Sequence, residues 1–128
     1  MKFVLYTSTL NLDDYDVLVV PEIIRTARIQ NSIHQITGVL FFDGFNFTQY
    51  FEGEVADVDR LSENIRKDSR HKNIVTILSG HHDTRLYADW MMGYIDTSQP
   101  TGVYEQSSPN SDLNMESFQH LVNQYHVE

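Results

Sequence analysis

The sequence predicts an α+β sandwich, with two helices on one face of a mostly antiparallel sheet. Three observations predict it. Short β-rich runs are separated by turn residues, two segments carry apolar residues at helical spacing, and these elements follow the order βαββαβ plus one more strand. This order is typical of ferredoxin-like sandwiches. At 128 residues the chain has room for one domain and a short extension.

The first strand and the first helix lie before residue 36. Residues 2–8 (KFVLYTS) are β-rich, which predicts a strand. A helix follows, because apolar residues recur at helical spacing at Val20, Ile23, Ile24 and Ala27. Pro21 suits its first turn, where the missing N–H needs no partner. We expect the helix to end near Asn31, since asparagine often caps helix C termini.

A hairpin and a second helix come next. The apolar runs 36–42 (ITGVLFF) and 47–52 (FTQYFE) flank Asp43-Gly44, a strong hairpin signal because glycine supplies the positive φ of the turn. The second helix is marked by apolar residues at Val55, Val58, Leu61 and Ile65. Its early residues are acidic and its late ones basic, which favours the helix dipole; Asp68 to His71 is expected to end it.

The remaining elements are two strands and a C-terminal helix. Strands are predicted at residues 74–78 and 90–95, which completes a domain of residues 1–95. Residues 96–128 then comprise a linker (96–111), rich in Ser, Pro, Asn and Gly, and an amphipathic helix (112–125) capped near Ser111. A lone amphipathic helix must dock, and the second face of the sheet is available.

Composition excludes several classes of function. The formal net charge of −9 argues against nucleic-acid and anionic-membrane binding. No apolar run approaches the roughly 18 residues of a membrane span. Without cysteine there is no disulfide, thiol nucleophile or cysteine-ligated zinc site, and no catalytic motif occurs. We therefore expect a soluble, cytoplasmic protein without a metal.

Gln49 contradicts the pattern of its own strand. Side chains alternate across a sheet, so Phe47, Gln49 and Phe51 share one face, and that face should be apolar. A buried, unpaired amide would cost a few kcal/mol, so Gln49 needs hydrogen-bond partners. Taken alone, a glutamine satisfied by nearby backbone is the simpler interpretation.

Three further residues are ambiguous when each is considered alone. Tyr6 lies in the first strand, while Trp90 and Met92 share a face of the last predicted strand. Aromatic residues and methionine at strand spacing are more often core than cofactor site.

Several short motifs nevertheless follow one another in a specific order: Tyr6 with Ser8, Asn31, Ile36-Thr37-Gly38-Val39-Leu40, Phe47-Thr48-Gln49-Tyr50-Phe51-Glu52-Gly53, Asp68-Ser69-Arg70-His71, Arg85 and Trp90-Met91-Met92. Over about residues 1–95 this ordered set resembles BLUF domains, which are flavin-binding sensors of blue light. The resemblance implies a non-covalently bound flavin, generally FAD, wedged between the two helices and over the sheet.

The resemblance also implies which residues hold the flavin. Asn31 contacts the pyrimidine end of the ring, because an amide offers the matching acceptor and donor. The other residues that the resemblance places at the cofactor are Tyr6, Ile24, Arg28, Gln30, Gln49, Ile65, Asp68, Arg70 and His71, with Ile24 and Ile65 as apolar walls. Asn64 stands where some members have a basic residue, and Gln30 and Gln35 also depart from the usual pattern. FMN and riboflavin therefore stay open as alternatives to FAD.

The photochemical residues implied by the resemblance are Tyr6, Ser8, Gln49, Trp90 and Met92. Tyr6 gives an electron and a proton, Gln49 reverses its hydrogen bonds, and Trp90 with Met92 passes the change onward. The expected protein is a photoreceptor and not an enzyme; it signals through an unknown protein partner and forms a homo-oligomer. Two alternatives stay open: a small flavin-dependent oxidoreductase, and a flavin-free interaction module with the same fold.

Overall fold

The computed structural model describes residues 1–97, 113–125 and 127–128 and contains a five-stranded sheet covered on both faces by helices. The strands are β1 (Lys2–Leu10), β2 (Thr37–Phe42), β3 (Asn46–Gly53), β4 (His71–His81) and β5 (Gly93–Asp96). The helices are α1 (Val20–His34), α2 (Val55–Lys67) and α3 (Met115–Gln124). The strand order is β4-β1-β3-β2-β5, with β2 and β5 parallel and the other pairs antiparallel. The predicted fold class is confirmed.

The two predicted helices cover the same face of the sheet, which we call the helix face. On α2, Val58 packs into one cluster with Tyr6 and Phe51; on α1, Ile24 packs into another with Phe47. The strands alternate, so only every second residue of β1 and β3 points toward these helices. The predicted hairpin turn is also present. Gly44 joins β2 to β3 with a φ of 101°, a conformation that favours glycine.

The opposite face, which we call the far face, is covered by α3. Phe118 and Val122 are buried against Phe3, Leu5 and Tyr50, so the predicted docking of the C-terminal helix is confirmed. The helix begins at Met115, with Asn114 capping the Ser117 N–H at 2.9 Å. The predicted cap at Ser111 lies outside the described residues, as do all of residues 98–112. The predicted division into a domain of residues 1–95 and an extension of residues 96–128 stays a prediction.

Several element boundaries differ from the prediction, among them the start of α3 at Met115 instead of residue 112. Helix α1 continues to His34 and ends where Gln35 adopts a φ of 53°, so Asn31 lies inside the last turn rather than capping it. Helix α2 ends at Lys67, so Asp68 to Arg70 form a connection. His71 begins β4, which is much longer than the predicted strand 74–78. Strand β4 lies at the sheet edge, where exposed polar residues hide the strand pattern.

The last strand begins at Gly93, so the prediction that places Trp90 and Met92 on it is wrong. The chain bends at Met91 and Met92, and a bend breaks the two-residue alternation that the prediction assumed. As a result the two side chains lie on opposite faces. Met92 packs on the helix face in the cluster of Leu40, whereas Trp90 packs against the far-face core.

Candidate functional site

A cleft of about 430 Å³ opens between α1 and α2, above β1 and β3. Ligand sites typically have volumes of roughly 300–1000 Å³ and mostly apolar walls with a few polar groups. The apolar lining comes from both helices and from the sheet below: Ile23, Ala27, Ile36, Leu40, Phe47, Leu61 and Ile65. The polar lining includes the amide side chains of Gln30, Asn31 and Gln49. An amide can both donate and accept hydrogen bonds, so these groups could bind a polar ligand edge.

Tyr6 and Gln49 form a hydrogen-bonded pair at the base of the cleft. They are opposite each other in the antiparallel register of β1 and β3, so their side chains share a face. The Tyr6 hydroxyl donates to Gln49 Oε1. Gln49 Nε2 donates to Met92 Sδ at 3.7 Å, and a thioether sulfur is only a weak acceptor. The Gln49 amide therefore has one strong partner and one weak one.

The Tyr6 hydroxyl keeps its proton at neutral pH. Burial raises the pKa of Tyr6 well above its ordinary value, and the negative charge of Asp68 raises it further. An ionised phenolate would be poorly solvated in this position. The protonated Tyr6 hydroxyl therefore remains the donor of the hydrogen bond to Gln49 Oε1.

Asn31 contributes a buried amide to the cleft. Its side chain lines the cleft with an exposed fraction of 1%, and Nδ2 donates to Met91 O at 2.6 Å. Among the hydrogen bonds of the described residues, this is the one that the Asn31 side chain makes. The amide oxygen Oδ1 could therefore accept a hydrogen bond from a ligand N–H in the cleft.

Asp68, Arg70 and His71 form the other polar edge of the cleft. Arg70 donates to Asp68 through Nε and through Nη2, the latter at 2.7 Å. Burial would raise the pKa of the Asp68 carboxyl, but the hydrogen bonds and charge of Arg70 outweigh it and hold that pKa below 3.8. Both ring nitrogens of His71 are engaged, at 2.8 Å from Ser8 Oγ and 2.8 Å from Ile65 O.

Most of the sequence-predicted site residues meet in this cleft. Those that line it are Tyr6, Gln30, Asn31, Gln49, Ile65, Asp68, Arg70 and His71. Ser8 is buried and reaches the cleft only through its hydrogen bond with His71. Met92 does not line the cleft but accepts a hydrogen bond from Gln49 through its sulfur. Trp90 packs on the far face of the sheet.

Ile24 and Arg28 lie outside the cleft. Ile24 is buried in the core beneath α1, and both residues line a separate groove beside β5. From there Arg28 Nε donates to Met92 O at 3.0 Å, and Nη2 donates to Glu128 O at 2.8 Å. The reason is the helical rotation of about 100° per residue. The wall of the cleft is formed instead by the neighbouring positions Ile23 and Ala27.

The sequence contained a signal for these missed wall residues. Ile23, Ala27 and Asn31 are spaced four apart, so Asn31 identifies the helix face that carries the other two. The sequence also carried a signal for Phe47, which shares a strand face with Gln49, and for Leu61, which is spaced four residues from Ile65 on α2. The remaining lining residues come from several elements: Thr26, His34, Ile36, Leu40, Asp57, Arg60 and Asn64.

The helices and polar clusters show two further features. Among the described residues, none of the helices combines the length and the apolar character that crossing a bilayer requires. Likewise, no group of three metal-ligating side chains is found within the part of the chain that the structure describes.

Comparison with known proteins gives consistent matches. The model of the BLUF family, "sensors of blue-light using FAD", matches residues 1–93. The blue light- and temperature-regulated antirepressor BluF of Escherichia coli K12 is 32% identical over 84 residues, which is 66% of this chain but only 21% of that protein.

Solved structures agree over nearly the whole chain. BlsA in its ground state is 30% identical with a TM-score of 0.79, covering 97% of this chain and 87% of that one. Photo-activated BlsA is 29% identical with a TM-score of 0.80, covering 97% and 94%. A bacterial light-regulated adenylyl cyclase is 27% identical with a TM-score of 0.70, covering 97% of this chain and 33% of that one. Since the family model spans most of the sequence, this chain belongs to the BLUF family of blue-light sensors.

Proposed function

We propose that this chain senses blue light through an FAD held between α1 and α2 and passes the signal to a protein partner. The observation that carries the proposal is the Tyr6–Gln49 pair at the base of the cleft. A phenol and a reversible amide lie together where an aromatic ligand would contact both. When bound, a flavin supplies an oxidant that blue light makes strong enough to take an electron from a phenol.

The residues of the cleft fit a flavin ring. Ile23 and Ala27 on α1, facing Ile65 on α2, offer apolar walls for its two faces. The amide oxygen Oδ1 of Asn31 suits the N–H at the pyrimidine end. Arg70 and His71 lie at the opposite polar edge, where their hydrogen bonds to Asp68, Ser8 and Ile65 O hold them in place.

The switching steps belong to Tyr6 and Gln49. With an excited flavin bound as the oxidant, Tyr6 would give up an electron to it, and the Tyr6 hydroxyl proton would move along the existing hydrogen bond to Gln49 Oε1. The Gln49 amide then rotates or tautomerises, and Tyr6 recovers its electron and proton. The net change is a reversed Gln49 side chain, whose donor end now points into the cleft. Because Met92 Sδ contacts the same amide at 3.7 Å, the reversal alters the contact that Met92 makes.

FAD is proposed ahead of FMN and riboflavin on the strength of the family model, which is described by its use of FAD. Arg60 and Asn64 also line the cleft, and the half-exposed Arg60 side chain offers a positive charge for the phosphates. Arg60 Nη2 also contacts His34 Nδ1 at 3.0 Å and Asp57. Heat release of the chromophore followed by mass spectrometry identifies the flavin; a preparation containing only FMN would reject FAD.

Protein partners follow from the relatives and from the charge. The related BluF is by its name an antirepressor, and a net charge of −9 disfavours nucleic acid and anionic membranes as direct partners. We propose signalling by protein–protein contact in the cytoplasm, by a homo-oligomer, with residues 1–95 as the sensor and 96–128 as the extension. Pull-down in light against darkness tests this, and equal recovery of every partner in both would contradict it.

The light–dark difference spectrum tests the core of the proposal. Blue light should shift the flavin absorption reversibly to the red without bleaching it. Gln49→Leu should keep the flavin and abolish the shift, because leucine can neither accept from Tyr6 nor donate into the cleft. Thr48→Ala is the matched control, since Thr48 is the next residue of β3 and does not line the cleft. A normal shift in Gln49→Leu would reject the proposed switch.

A further inference from the structure

Glu52 is a buried carboxyl group with no part in the steps above. It lies on β3 three residues after Gln49, so its side chain points to the far face of the sheet. Its exposed fraction is 0%. Removing a charged group from water is unfavourable unless hydrogen bonds replace the lost solvation. The position of Glu52 therefore depends on the groups that bind it.

Both oxygens of Glu52 are fully used. Oε1 accepts from Tyr50 Oη at 2.9 Å and from the Leu86 N–H at 2.8 Å. Oε2 accepts from Thr37 Oγ1 at 3.1 Å and from the Tyr87 N–H at 2.8 Å. Four donors saturate a carboxylate, which has about four lone-pair sites. All four bonds point at one side chain, so removing its charge affects all of them together.

Two of these donors come from residues 82–92, which we call the β4–β5 segment. It has neither helix nor strand, so no backbone ladder determines its position. Arg85 adds two bonds beside those of Leu86 and Tyr87, from Nη1 to Thr37 Oγ1 at 3.0 Å and to Glu52 O at 3.2 Å. Three consecutive residues of the segment are thus tied to β2 and β3 at Glu52.

The same segment carries the groups that contact the cleft residues. Trp90 O accepts from Gly38 N at 3.0 Å, Met91 O accepts from Asn31, and Met92 Sδ accepts from Gln49. The Trp90 ring stacks on the Tyr87 ring with centroids 5.7 Å apart. Met92 lies only five residues beyond the Tyr87 N–H that Glu52 holds.

The connection extends to α3. Phe118 contacts the rings of Tyr50 and Tyr87, with centroid separations of 5.9 Å and 6.3 Å. Burial, followed by the charge of Glu52, raises the pKa of Tyr50 well above its ordinary value, so its hydroxyl stays protonated and donates. Phe118 also contacts the ring of Phe41, with centroids 5.6 Å apart. Two of its three ring contacts among the described residues therefore involve residues that are hydrogen-bonded to one carboxylate.

We propose that Glu52 is a positioning residue for the light switch. It anchors the β4–β5 segment so that Met92 is held against Gln49, and it thereby sets the rate at which the lit form returns to the dark form. The inference rests on the proposed light-sensing function. Its physical basis is that Glu52 binds the middle of the segment at Leu86 and Tyr87, whereas the bonds from Gly38, Asn31 and Arg28 hold its end at residues 90–92.

Glu52→Gln tests the inference in the flavin-loaded protein. An amide has one accepting oxygen and one donating nitrogen, so it cannot satisfy all four donors. We expect the amplitude of the red shift to stay unchanged, because Tyr6 and Gln49 are intact. We expect dark recovery to be about tenfold faster, which corresponds to about 1.4 kcal/mol of barrier.

Two further variants separate positioning from general stability. Val58→Ala is the stability control, because it leaves a cavity at a fully buried site. Val58 lies on α2, outside the clusters that contain residues of the segment, and it does not line the cleft. This variant should recover within about twofold of the wild type although it is less stable. Tyr50→Phe removes one of the four bonds to Glu52 together with the contact of Tyr50 Oη with His82 Nε2 at 3.0 Å, and its recovery should be about threefold faster.

The failures are distinguishable. A photoactive Glu52→Gln protein that recovers within twofold of the wild type overturns the positioning role. If Glu52→Gln does not fold, an unchanged recovery rate in Tyr50→Phe overturns it instead. A wild-type protein that binds flavin but shows no red shift overturns the light-sensing function itself.

Discussion

The two faces of the sheet differ in what their polar groups contact. On the helix face, the amides of Asn31 and Gln49 line an open cleft, and Gln49 Nε2 has a weak sulfur partner. On the far face, Glu52 accepts four hydrogen bonds and the docked Phe118 fills the aromatic core, although Thr7 Oγ1 is buried there without a partner among the described residues. One face has room for a ligand, and the other is filled by the protein itself.

Strand β3 supplies both arrangements. Gln49 points to the cleft, and its neighbours Tyr50 and Glu52 point to the far-face core. Because side chains alternate along a strand, one segment can hold a reversible amide on one side and a fixed carboxylate on the other. The comparison teaches that an open cleft beside amide side chains, rather than buried polarity alone, distinguishes the candidate site.

Tyr6→Phe should have the largest effect and acts only on the helix face. The phenyl ring retains the packing but loses the hydroxyl that donates to Gln49 Oε1. We expect flavin binding to remain and the normal red shift to be abolished, as measured by the light–dark difference spectrum. A variant that cycles like the wild type would remove the electron and proton donor from the scheme.

Phe118→Ala should break the far face without affecting the helix face. Truncating a buried phenylalanine costs about 3–5 kcal/mol. Denaturant unfolding should show that loss, while the visible spectrum of the bound flavin should be preserved. Leu121→Ala is the control, because Leu121 is 36% exposed on the same helix and should change stability by only about 0.5 kcal/mol. Equal losses in both variants would contradict the docking of α3.

Ile23 and Ile24 are adjacent on α1, and their substitution separates flavin binding from stability. Ile23 lines the cleft, whereas Ile24 is buried in the core. Ile23→Ala should weaken flavin binding about tenfold, since it removes about 1–2 kcal/mol of apolar contact with the ring. Ile24→Ala should lower the free energy of unfolding by about 2–5 kcal/mol and leave the affinity nearly unchanged. Flavin titration and denaturant unfolding measure the two effects, and the opposite pattern would reject the assigned walls.

The pH dependence should show the smallest effect. The pKa of buried Tyr6 is raised above its ordinary value, so the folded protein retains this proton at a pH of about 10, where an ordinary tyrosine is half ionised. The red shift should therefore keep its amplitude between about pH 7 and pH 10. Above that range the unfolded chain ionises first, so this residue's contribution to stability falls as pH rises. An amplitude already halved at pH 10 would mean that Tyr6 is not in this buried environment.

Particular residues show how far the sequence could predict this site. Gln49 was identified because an amide between two phenylalanines contradicts a core strand, and both helices followed from apolar spacing. Ile24 and Arg28 were assigned to the cleft but line the groove beside β5, because a rotation of one residue moves a side chain to another helix face. The length of β4 was also missed, since an exposed edge strand lacks the apolar alternation of a buried one.

By itself the sequence determined the order of the elements and the strand face that Phe47, Gln49 and Phe51 share, because local periodicity and turn residues specify them. The family resemblance implied that Tyr6 acts with Gln49, and the register of β1 and β3 places the two residues opposite each other. Only the tertiary structure decided that Trp90 and Met92 lie on opposite faces and that Glu52 anchors the segment carrying both. That segment has no helix or strand period. Its path is set by hydrogen bonds to residues distant in sequence, which no local pattern encodes.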